Sequence, residues 1–196
     1  VGPCYQERRC MPFLKILSAS EAAASEDNDK NRRKQDMPQL SERVGTFTDS
    51  VNINDAYFGS SAYIDLIQEL QLSVSKADIS FAAPLFFNAS IDAGEVKVSN
   101  LFDLYRFEDH LYTILLTGAE IKNYLEMSYG FWINQMTCED DAFLQLQPMK
   151  NKPDRMGFKN FIFNFDSAAG IHYTVDVSKP EGEKITIEKL ADGREF

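Results

Sequence analysis

Apolar residues along this chain separate two kinds of material. Residues 18–36 contain no aromatic and no β-branched side chain, too little apolar surface to offset the entropy of ordering the backbone. That stretch predicts a loose helix or a disordered linker. Upstream of it, Met11, Phe13, Leu14, Ile16 and Leu17 form a short apolar cluster, suited to dock on the domain that follows or on a neighbouring one. From Val44 onward, element signals and turn signals alternate at ordinary spacing. The pattern therefore predicts a folded domain over 44–196 preceded by a loosely structured extension over 1–43.

Within 44–196, Val44 to Val51 has strand-like content, and Ser60 and Ser61 stand as candidate caps of a helix. That helix places Tyr63, Leu66, Ile67 and Leu70 at i, i+3, i+4 and i+7, one apolar stripe. Ile79 to Phe87 reads as a buried strand that breaks into a loop at Pro84. Thr113 to Leu116 belongs to an apolar strand, and Thr117 with Glu120 has the spacing of a capping box that opens a second helix on Ile121, Tyr124 and Leu125. Ile171, Tyr173, Val175 and Val177 alternate with polar residues, as a half-buried strand does. A hairpin follows, turning at Lys179 to Gly182, with Ile185 and Ile187 on one face of the return strand and a further reversal at Asp192 and Gly193. Mixed strands and helices in this order predict an α+β domain.

Composition narrows the partners. The chain has 196 residues, 44% hydrophobic and 26% charged, enough for one sizeable core. Its net charge is −10, which repels phosphate backbones and argues against binding a nucleic-acid polymer. Any anionic ligand has to be held by a few local donors. The basic run Lys30, Arg32, Arg33 and Lys34 sits among Asp27, Asp29 and Asp36, which is the character of a solvated charged segment. No apolar run reaches the length of a membrane span, and the N-terminus lacks the pattern of a secretory signal.

Metal-dependent hydrolysis needs several His, Asp and Asn ligands held together. The chain has two histidines, His110 and His172, neither in a metal motif; both read as surface or capping residues. Cys4, Cys10 and Cys138 have no paired spacing that suggests zinc. Nucleophile-elbow, P-loop and dinucleotide fingerprints are missing too. No catalytic residue and no metal ligand is assigned in this chain, which alone is expected to be inactive.

Gly94, Glu95 and Val96, then Leu101 to Leu104, Phe107, Leu116 to Ala119, and Ile121 with Lys122 follow the order of motifs in the C-terminal domain of the 5'-nucleotidase family. Phe163 to Asp166, Gly170, Tyr173, Thr174 and Asp176 to Pro180 resemble a later hairpin of that domain, in the form typical of 2',3'-cyclic-nucleotide phosphodiesterases. The resemblance covers about Val44 to Phe196. It implies a domain that cradles the nucleobase and ribose of a nucleotide, in nucleotide catabolism, while a metallophosphatase domain, in cis or in trans, cleaves the ester with two divalent metals. It also implies a periplasmic or cell-envelope setting. A non-catalytic nucleoside-binding or protein-interaction module is the alternative.

Residue by residue, the resemblance makes Phe107 the ring that stacks on the base, flanked by Tyr105 and Arg106, with Asn88 on the ribose-contacting loop. Phe107 as an ordinary core residue and Arg106 as an ordinary surface residue remain open. Two positions depart from the family pattern: Asn88 stands where the glycine-rich loop usually carries arginine, and Arg106 stands where proline is common. The family's second stacking aromatic would fall past Phe196, so the domain is expected to be incomplete at its C-terminal end.

Overall fold

The computed structural model describes residues 10–16, 38–85, 89–105, 107 and 109–196. In chain order its elements are β1 (Cys10–Ile16), β2 (Arg43–Phe47), β3 (Val51–Asn52), α1 (Ala62–Ser75), β4 (Ile79–Ala82), β5 (Ser90–Ile91), β6 (Gly94–Lys97) and α2 (Val98–Leu104). There follow β7 (Leu111–Thr117), α3 (Gly118–Trp132), β8 (Leu146–Met149), β9 (Lys152–Phe158), β10 (Ser167–Ala169), β11 (Ile171–Val175) and β12 (Ile185–Leu190). The architecture is α+β. A four-stranded sheet in the order β10, β4, β1, β7 is accompanied by four two-stranded ribbons, β2 with β6, β3 with β5, β8 with β9 and β11 with β12.

Both long helices begin where the sequence signals them. Ser61 caps α1, its hydroxyl accepting from the Ile64 amide, and Lys76 ends the helix in the left-handed region at φ 59°. At α3 the chain passes from strand to helix without a loop, because Thr117 and Glu120 satisfy the first donors reciprocally: Glu120 N donates to Thr117 Oγ1 at 3.3 Å and Thr117 N donates to Glu120 Oε2 at 2.8 Å. Thr117→Ala is expected to cost about 1 kcal/mol of stability. Thr117→Ser should cost markedly less, as read from the midpoints of urea unfolding curves.

The structure adds detail to two sequence expectations and corrects a third. Val44 to Val51 is two short strands, β2 and β3, which pair with different partners, Gly94–Lys97 and Ser90–Ile91. The extension over 1–43 supplies β1, which runs parallel to β4 and antiparallel to β7 and completes the ladders of two strands that do not pair with each other; the linker 18–36 lies outside the described residues. Finally, α1 does not bury the stripe expected of it. Leu66 and Leu70 are exposed, whereas Tyr63, Ile64, Gln68 and Gln71 are buried. The cause is polar: Gln68 Nε2 donates at 2.8 Å to the carbonyl of Ser167 on edge strand β10, and Gln71 Oε1 accepts from Ser80 Oγ on β4. A helix lying over these groups has to turn acceptors and donors toward them.

Two clusters of buried side chains share β4. Ile79 and Phe81 face one, with Ile121, Leu125, Trp132, Phe165 and Ile185; Ala82 belongs to the other, with Val51, Ile53, Tyr63, Ile64, Val96 and Leu104. Burial alternates sides along the strand as the pleat requires. The C-terminal hairpin forms as the period-two pattern predicts, with Val175 opposite Ile185 and an irregularity at His172 and Tyr173. Glu126 of α3 clamps that hairpin by accepting from the amides of Lys184 at 3.1 Å and Ile185 at 2.7 Å.

Candidate functional site

The site is built where two loops meet. Strand β4 ends at Ala82, and Ala83, Pro84 and Leu85 carry the chain off the sheet. Helix α2 ends at Leu104, and Tyr105 leaves it in an extended conformation at φ −145°, its amide still bonded to Leu101 O at 2.8 Å. Tyr63 joins the two segments. Its buried hydroxyl donates to Leu104 O at 2.8 Å and has the Leu85 backbone as a further hydrogen-bonding neighbour.

Tyr105 and Phe107 are half-buried, their rings 6.2 Å apart and nearly perpendicular at 85°, an edge-to-face contact. Tyr105 Oη donates to Asp109 Oδ2 at 2.7 Å. Burial first, and the adjacent Asp109 carboxylate second, push this hydroxyl far above the usual tyrosine range, so it stays protonated and keeps its donor role at any physiological pH. Tyr105 lines a small surface depression together with Ala83, Leu85 and Phe163, and the depression is floored by Gln71, Phe81 and Asp166. Arg106 and Asn88, the other two residues singled out in the sequence, lie outside the described residues.

Sequence reasoning assigned no role to the residues on the far side of the depression. Phe163 stacks on Phe161 with centroids 5.2 Å apart and planes within 9° of parallel, and Phe161 is 72% exposed. Asp166, next along the chain, is buried and its Oδ2 accepts from Tyr124. Ser128 Oγ faces the carbonyls of Asn164 and Asp166, each at 2.9 Å, and pins the turn that presents both. The only available signal was the Phe163 to Asp166 motif itself, which gives order along the chain but not position in space.

Elsewhere, a cleft of about 620 Å³ opens between the start of α1 and the hairpin, lined among others by Ser60, Asp65, Tyr129, Tyr173 and Glu188. His172 is at its edge and exposed, and His110 is likewise exposed. Among the described residues no three His, Cys, Asp or Glu side chains gather as a metal site. The described residues do not fit a metal centre, and no bond-breaking step is derived from them.

Residues 43–195 match the model of the 5'-nucleotidase C-terminal domain. The chain belongs to that family. Over 95 residues, 48% of the chain, the nucleotidase-type domain is 35% identical to the trifunctional nucleotide phosphoesterase protein YfkN of Bacillus subtilis, of which the match covers 6%. Over 94 residues, 46% of the chain, it is 31% identical to the 2',3'-cyclic-nucleotide 2'-phosphodiesterase/3'-nucleotidase of Salmonella typhimurium, covering 12% of that protein. It thus matches only a small part of the length of these relatives. A Staphylococcus aureus protein described as a 5'-nucleotidase, crystallised with alpha-ketoglutarate, superimposes with a TM-score of 0.61 over 87% of this chain and 32% of its own, at 23% identity. The likeness extends to the fold of the nucleotidase-type domain.

Proposed function

We propose that the domain holds the base and sugar of a nucleotide for a phosphoester hydrolase of the 5'-nucleotidase or 2',3'-cyclic-nucleotide phosphodiesterase kind. The observation that carries this reading is the meeting of Ala83 and Leu85, on either side of Pro84, with Tyr105 around one depression, Tyr63 tying the two segments together and Phe107 set edge-on against Tyr105. In this reading Phe107 stacks on the base, Tyr105 forms the adjoining wall, and Arg106 and Asn88 are the candidate donors to sugar and phosphate. Ester cleavage belongs to a linked metallophosphatase domain carrying two divalent metals, in a bacterial envelope setting. Among the described residues no helix is long and apolar enough to cross a membrane.

Stacking on one aromatic face contributes on the order of 1 to 3 kcal/mol per base, against roughly 8 kcal/mol for a micromolar complex. This domain alone is therefore expected to bind adenosine in the millimolar range. Phe107→Ala should weaken binding by about tenfold, as followed by NMR titration. Adenosine binding as tight to Phe107→Ala as to the parent would sink the assignment.

A further inference from the structure

Two apolar surfaces stand uncovered among the described residues. The first is the ribbon of β8 and β9. All of β8 is exposed, as is β9 up to Met156, and only Gly157 and Phe158 at the root are partly covered. Leu146 lies opposite Phe158 and Pro148 opposite Met156, which sets all four on one face. Phe158 anchors that face to the core, its ring 4.9 Å from Tyr57 and 5.1 Å from Phe165. Further out, Met156 is 57% exposed. A two-stranded ribbon is marginal in water by itself, so this arm gains stability from a surface that covers it.

Charge limits what that surface can be. Between Leu146 and Lys159, four bases, Lys150, Lys152, Arg155 and Lys159, stand against one acid, Asp154, a local charge of +3 in a chain of −10. All four are exposed, and none forms an ion pair among the described residues. The arm therefore fits a partner that is apolar and acidic.

The outer face of α1 has that character. Leu66, Leu70 and Val74 recur at every fourth residue, the last two 63% and 66% exposed, in a stripe about 12 Å long. Asp65 and Glu69 run beside it one turn apart, and the helix contains no basic residue. Leu146 to Met149 spans about 10 Å as a strand, a match in length.

We propose that these surfaces meet between two copies of this chain, the β8–β9 arm of each lying on α1 of the other. A contact between unlike patches closes only when it is returned, which gives a two-fold dimer with two equal contacts. Each copy carries −10 overall, but at physiological salt that repulsion is screened beyond about 8 Å, whereas charges touching across the seam are screened far less. An anionic bilayer would suit the arm, yet it would leave the α1 stripe bare and repel the acidic remainder of the chain. The pairing stands apart from the base-binding reading, since neither the arm nor the stripe lines the depression.

The test is sedimentation velocity of the whole chain across the micromolar range, with two charge reversals at exposed positions. One variant carries Lys150→Glu and Lys152→Glu on the arm, the other Glu69→Lys on α1. The parent should pass from one copy to two as concentration rises. Each variant alone should associate about tenfold more weakly or worse, because like charges then face each other. Mixed together, the variants should regain the parent's association to within about threefold, since every arm again meets a helix of opposite charge. Recovery on mixing cannot come from a variant that has lost its fold. A parent that stays monomeric overturns the pairing, as does association that neither variant weakens or a mixture no stronger than its parts. A monomeric parent that sediments with phosphatidylglycerol vesicles also overturns it and assigns the arm to a lipid surface.

Discussion

Gly170→Ala is expected to prevent the domain from folding, with a cost above about 4 kcal/mol. Gly170 lies between β10 and β11, where the chain leaves the four-stranded sheet for the hairpin. Its φ is +89°, and a Cβ built on it would sit 2.0 Å from the carbonyl oxygen of Asp78 and 3.1 Å from the Cα of Ile79. Both obstacles are backbone at the start of β4, so no rotamer change relieves them. The Gly170 carbonyl also accepts from Ala191 N at 2.8 Å, which ties the far end of the hairpin to the same point. Gly182 is the control. It has φ +86° with nothing within 4 Å of the added carbon, so Gly182→Ala meets only the left-handed penalty of roughly 1 to 2 kcal/mol. Circular dichroism and urea unfolding of the two variants separate the dihedral cost from the clash. A Gly170→Ala protein as stable as Gly182→Ala would show that β10 and β4 do not approach as described.

Glu126→Ala should be the most damaging loss of a single polar side chain, on the order of 3 to 5 kcal/mol. Glu126 is buried on α3, and each of its oxygens takes one backbone N–H from the start of β12. These amides lie at the end of the turn, where Lys184, itself buried, donates from Nζ to Lys179 O at 2.6 Å. Truncation leaves two buried donors unpaired, whereas Glu126→Gln keeps one acceptor and should lose about half as much. Urea midpoints give the stability change. Hydrogen exchange at the Ile185 amide gives its location, with faster exchange in Glu126→Ala than in Glu126→Gln. Unchanged protection of Ile185 in Glu126→Ala would refute the clamp.

Features that depend on neighbours along the chain were legible in the sequence. The capping box at Thr117 and Glu120, the Ser61 cap, the break at Pro84 and the alternation from Ile171 to Val175 each depend on spacing within a few residues and appear as read, although the strand ends at Val175 and Val177 already belongs to the turn. The buried face of α1 was not legible. Gln68 and Gln71 look like surface residues by polarity, and only the Ser167 carbonyl, 99 residues away at Gln68, and the Ser80 hydroxyl explain their burial. The pairing of β1 between β4 and β7 escaped for the same reason, since nothing in a seven-residue apolar run names its partners. The site divides likewise. Tyr105 and Phe107 were singled out through motif order, while Gln71 and the pair Phe163 and Asp166 come to the depression beside Tyr105 from two distant stretches that only the packed sheet brings together.

The shared strand β4 gives the depression a thermodynamic role distinct from recognition. The depression is bordered by Phe81, which packs in one core, and by Ala82, which packs in the other. Two separately packed cores are two potential units of opening, and a molecule seated across their seam is held only while both are closed. Its binding then raises the free energy of opening either core and lowers the population of each open form. Occupancy would fuse two local melting events into one, and the domain would gain cooperativity from a ligand too weak to alter its shape.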